Sequence, residues 1–207
     1  MNEFDDPVAQ WLLSAEQCLS DAAELTRLRL ANPSGSGTRP AAILFGYFLE
    51  GLLKAIVVRK GSATNKQFYQ HVRPELAELA GLGPVSGMEN ELLNDLNDCV
   101  TWGKYPEPGK GKQRTLVRSG NLFFHDQTYV FNSPIVLAHL LRFCKRALLH
   151  AEAELCGTVP VSDDDFVSPL LQRMKETLQR ALEDAERANP PPSGRAGLER
   201  PFSGKER

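Results

Sequence analysis

Residues 41–58, AAILFGYFLEGLLKAIVV, follow Pro40 and decide the fold. The run is apolar on nearly every side and long enough for several helical turns. It therefore predicts a helix surrounded by other helices rather than one lying on a surface. Glu50 and Lys54 interrupt it, and with its modest length they argue against a membrane span. The two charges stand four residues apart, the spacing that brings a carboxylate and an ammonium together on one helix face. One reading is an ordinary helix pair worth about 0.2 to 0.5 kcal/mol. The other is a polar seam inside the molecule, because either charge buried alone would cost several kcal/mol. The sequence leaves both open.

Working outward toward the N-terminus, Asp6 and Pro7 supply an N-cap and a first-turn proline. Val8, Trp11, Leu12, Ala15, Leu19, Ala22 and Ala23 then recur at helical spacing to about Leu30. The turn-rich ANPSGSGTR of 31–39 leads into the central helix, and 61–66 leads out of it. Val72, Leu76, Leu79 and Ala80 predict a short helix that Pro74 opens and Gly81, Gly83 and Pro84 end. Ser86 and Glu89 have the spacing of a capping box. Leu92, Leu93, Leu96, Cys99 and Val100 form the buried face of the helix that follows, to about Trp102. Ser133 and Pro134 start a long helix through Leu149. Ser168 and Pro169 begin a last one through Leu170, Leu171, Met174, Leu178 and Leu182.

This pattern predicts an all-α, antiparallel up-and-down bundle. An irregular basic and aromatic insertion precedes its fifth helix. Lys104 to Arg118 gathers Lys104, Lys110, Lys112, Arg114 and Arg118 against Glu107 alone, and 121–132 is aromatic and β-branched. The expected division is a bundle over 1–157, an additional helix within 158–188, and a tail over 189–207 too rich in proline and charge to fold on its own.

The 207 residues fit one domain with appendages, and the 42% hydrophobic fraction is enough for a real core. A net charge of -2 excludes a globally basic nucleic-acid binder while leaving room for a local basic patch. Cys18, Cys99, Cys144 and Cys156 have no C-x-x-C or zinc-finger spacing and read as core thiols in a reducing compartment. The acidic MNEFDDP start differs from a secretory signal, so a cytoplasmic protein with no membrane association is expected. His71, His139 and His150 lack ligand spacing, so no metal site is expected. No nucleotide P-loop, dinucleotide-binding glycine motif or hydrolase elbow is present, and no cofactor is expected. The glycines and lysines of 108–112 have the composition to hold a phosphate, or to form a plain solvated loop.

The order FGYFLEGLLKAIVVRKG, QHVRPELAELAGL, LLNDLNDCVTWGKYP resembles the HEPN superfamily, helical domains found beside nucleotidyltransferases and in toxin and phage-defence systems. The resemblance covers about Asp6 to Leu155. It matches Tyr47, Glu50 and Lys54 on the central helix, His71, Leu76 and Leu79 at the short helix, and Lys104, Tyr105 and Pro106 after the next.

It implies a homodimer with RNA, a nucleotide, a nucleotidyltransferase or an antitoxin as partner. Lys104, Tyr105, Lys110, Lys112 and Arg114 would be the contacting residues. Many of these proteins resemble one another as metal-independent ribonucleases with an arginine and a histidine four to six residues apart. Arg118 and His125, with six residues between them, are the pair here within that window. A guanidinium holding phosphate beside an imidazole moving a proton suits that chemistry. Ser119 and Gly120 depart from the family's polar residue and helix start, and Leu122, Phe123 and Phe124 look like packing residues. A binding module is therefore the first expectation and a ribonuclease the alternative. A third is an adaptor that docks its last helix, Ser168 to Arg187, on another chain.

Overall fold

The structure, a computed structural model, describes residues 6–32, 38–61, 71–104, 134–157 and 166–188. Among these the chain forms six helices and no strand. They are α1 (Pro7–Ala31), α2 (Thr38–Lys60), α3 (Pro74–Ala80), α4 (Gly87–Lys104), α5 (Pro134–Cys156) and α6 (Val167–Ala188). The result is an all-α bundle.

The helix starts follow from local chemistry. Asp6 Oδ1 accepts from the Val8 N–H at 2.9 Å, and Pro7 sits in the first turn of α1. At α4 the capping box forms in both directions. The Ser86 N–H donates to Glu89 Oε2 at 2.8 Å, and the Glu89 N–H donates to Ser86 Oγ at 3.3 Å.

The central rod is α2, which packs against α1, α3, α4 and α5. Phe45, Phe48, Leu49, Leu52, Leu53 and Ile56 are all fully buried along it. By length and composition alone, Pro40–Lys60 would pass as a membrane span, so its length does not argue against one; 78% of that window is buried inside the bundle. The other helices supply the apolar surroundings.

Two glycines let neighbours approach α2 closely. A Cβ on Gly46 would stand 2.6 Å from Val100 Cγ2 of α4, and one on Gly51 would stand 3.0 Å from the Trp11 carbonyl of α1. Trp11 lies opposite Lys54 and Ala15 opposite Gly51, so α1 and α2 run antiparallel.

The last helix is part of the same core rather than an appendage to it. Its apolar face, Leu170, Leu171, Met174, Leu178, Ala181, Leu182 and Ala185, is buried against α1 and α5. Arg173 pairs with Glu16 of α1. Lys175 pairs with Glu152 at 2.6 Å and Arg142 with Glu186 at 2.7 Å, so α5 and α6 are antiparallel. The face that an adaptor would offer to another chain is thus occupied within this one.

Candidate functional site

The buried charged residues Glu50 and Lys54 are on α2, only 7% and 5% exposed. Lys54 Nζ donates to Glu50 Oε1 at 2.7 Å, one helical turn away. The second carboxylate oxygen faces a different segment: His71 Nδ1 lies 3.1 Å from Glu50 Oε2. A carboxylate can only accept here, so Nδ1 carries the proton and Nε2 is the ring nitrogen left without a partner among the described residues. Trp11 of α1 closes the cluster, its ring centroid 4.8 Å from Lys54 Nζ. An ammonium over an indole face is held by the ring's quadrupole. Glu50, Lys54, His71 and Trp11 therefore join α1, α2 and the lead-in to α3 in one polar seam. Of the two readings of Glu50 and Lys54, the geometry matches the seam.

The position of His71 is fixed by how α3 is anchored. At its C-terminus Gly81 adopts φ 78°, and the Leu82 N–H reaches back to the Ala77 carbonyl at 3.0 Å. The Ala80 carbonyl accepts from Lys60 Nζ at 2.9 Å and from His150 Nε2 at 3.1 Å. Arg146 Nη1 reaches the Leu82 carbonyl at 3.4 Å, and its Nη2 lies 2.9 Å from Glu89. Three basic side chains from α2 and α5 thus meet the negative end of α3. His150 acts as a capping group there.

Just before α3, Arg73 Nε donates to Asn97 Oδ1 of α4 at 3.2 Å, and Asn97 is 6% exposed. Sequence reasoning missed Trp11, Arg73 and Asn97 as polar partners. Trp11 and Asn97 lie on helical stripes that read as packing, and only the fold brings Asn97 to Arg73.

The thiols of Cys18 and Cys144 are poor nucleophiles. Cys18 is pushed up first by burial and then by the carboxylates of Asp21 and Glu50. Burial raises Cys144 strongly. Both lose thiolate at neutral pH.

Lys104 ends α4. Tyr105, Lys110, Lys112 and Arg114, with the catalytic candidates Arg118 and His125, lie outside the described residues. An open groove of about 710 Å³ between α5 and α6 is lined by Lys145, Leu149, Lys175, Glu176 and Arg180 among others. Two of its cations are engaged within the chain, Lys175 with Glu152 and Lys145 with Gln179 at 3.0 Å. No family model, curated protein or solved structure matches this chain.

Proposed function

We propose that the chain is a HEPN-like helical binding module that acts without catalysis, as a homodimer, and contacts RNA or a nucleotide through the basic run Lys104 to Arg118. One observation carries the reading. Glu50 and Lys54, which the resemblance picks out on the central helix, and His71, which it picks out on the next stretch, form one contact set. Helix spacing alone accounts for Glu50 and Lys54, so the contact between Glu50 and His71 is the part that supports the resemblance.

Charge supports the choice of ligand. The run concentrates five basic residues against one acidic residue in a chain of net charge -2. Such local excess favours phosphate backbones through counterion release.

Retention of a single-stranded RNA at several salt concentrations tests the reading. Wild-type protein should bind with affinity that falls as salt rises. Changing Lys110, Lys112 and Arg114 to alanine should weaken binding and flatten the salt dependence by about two units of slope, at about 0.7 per lost contact. Unchanged retention and slope in the triple variant would remove the proposal.

A further inference from the structure

We propose that His71 and Arg73 form a seat for a phosphate group. It is separate from the basic run and would operate even if that run contacted nothing. Three observations converge. Glu50 fixes His71 through Nδ1, and the His71 side chain is 30% exposed. Its Nε2 takes no partner among the described residues. Asn97 fixes Arg73 through Nε at 3.2 Å, Arg73 is exposed, and both terminal nitrogens of its guanidinium are without partner among the described residues.

Between them Val72 is fully buried, with its Cγ1 3.6 Å from the Cβ position that Gly46 leaves empty. The buried valine wedges the segment into the seam between α2 and α4. The residue on one side of it is tethered to α2 and the residue on the other to α4.

Arg73 is extended and Val72 is buried between a half-buried His71 and an exposed Arg73, so the imidazole and the guanidinium leave the same face of the segment, from Cα atoms at most about 7 Å apart. Each is oriented by a side chain more than nine-tenths buried, Glu50 on one side and Asn97 on the other. Such orienting partners fix the direction of a ring or fork before a ligand arrives. Lys54 offsets the charge of Glu50 at 2.7 Å, so the carboxylate that holds His71 does not leave the seat negative. Glu75 belongs to the first turn of α3, where the helix dipole favours a carboxylate.

The guanidinium donates to phosphate oxygens through its terminal nitrogens. Imidazole Nε2 either accepts the proton of a hydrogen phosphate or, once protonated, donates to it. The same chemistry fits a free phosphate, the monoester of a nucleotide, or a backbone phosphodiester.

Imidazole carbon and proton signals of the full-length protein, followed by NMR, read the seat directly. His71 is assigned with His71→Gln, and phosphate is titrated against chloride at constant pH and ionic strength. The His71 signals should shift saturably with inorganic phosphate. AMP and an oligoribonucleotide without terminal phosphates, titrated in parallel, distinguish monoester from backbone by which binds more tightly. Arg73→Ala should weaken the preferred ligand about tenfold, the loss of one charge-assisted contact, and Arg73→Lys should weaken it less. Circular dichroism verifies that both variants are folded.

His71 signals that ignore all three ligands, or that respond equally in wild type and Arg73→Ala, would overturn the seat. The seat is read from the His71 response to inorganic phosphate and its loss in Arg73→Ala, whereas the basic run is read from RNA retention by its triple variant, so the two proposals fail separately.

Discussion

Glu50 Oε2 and His71 Nδ1 lie 3.1 Å apart although the two residues are twenty-one positions apart in the chain. The contact ties the central helix to the start of the next structural segment, and it occupies the carboxylate oxygen that Lys54 leaves free. A charge in the middle of an apolar helix is tolerable here because both of its oxygens are engaged and an indole face shields its partner.

Breaking one member of this seam should be worse than removing the pair. Lys54→Met leaves Glu50 buried with reduced compensation and is expected to cost about 3 to 5 kcal/mol. The double change Glu50→Leu with Lys54→Met should recover most of that loss, because an apolar pair avoids desolvation. Urea unfolding of the three proteins measures both effects; a double variant no more stable than Lys54→Met would contradict the seam as the cause.

Close packing around α2 predicts a sharp sensitivity at its glycines. Gly46→Ala should destabilise by about 1 to 3 kcal/mol, since its methyl would meet Val100 at 2.6 Å. Gly51→Ala should behave similarly against the Trp11 carbonyl. Gly87→Ala, with nothing within 4 Å, is the control and should be neutral or slightly stabilising. Thermal or denaturant midpoints rank the three.

Thiol labelling reports the electrostatics of the seam. A raised pKa means less thiolate at a given pH, so native Cys18 should alkylate more slowly at pH 8 than it does in denaturant. Burial is the leading cause, with Asp21 and then Glu50 adding to it. Glu50→Gln removes one of those carboxylates and should speed Cys18 labelling. Cys144, fully buried, should remain silent in both proteins. Mass spectrometry of timed iodoacetamide reactions gives the rates.

A binding module also predicts what the purified protein does not do. Total RNA incubated with it, without added metal, should remain intact, and His125→Ala should leave growth of an expressing strain unchanged. Cleavage that disappears in Arg118→Ala or His125→Ala would instead favour the ribonuclease reading.

Much of the architecture was legible because its signals are local. The Asp6–Pro7 cap, the Ser86–Glu89 box, the Pro74 start and the Gly81 stop each depend on neighbours within a few residues, and each is found in place. Pattern also separated the buried rod from its amphipathic partners. It could not show that α6 seals the surface of α1 and α5, because an amphipathic stripe does not name what it faces. The same limit applies to the site. The four-residue spacing exposed the Glu50–Lys54 pair, but His71 and the Arg73–Asn97 contact depend on how α3 and α4 meet α2.

The central claim, that the buried carboxylate of Glu50 joins α2 to the His71 segment, is tested most directly by a double-mutant cycle. Glu50→Gln, His71→Ala and the combined variant are unfolded in urea under identical conditions. Direct contact predicts a coupling of about 0.5 to 3 kcal/mol. Strictly additive losses, with coupling indistinguishable from zero, would contradict it.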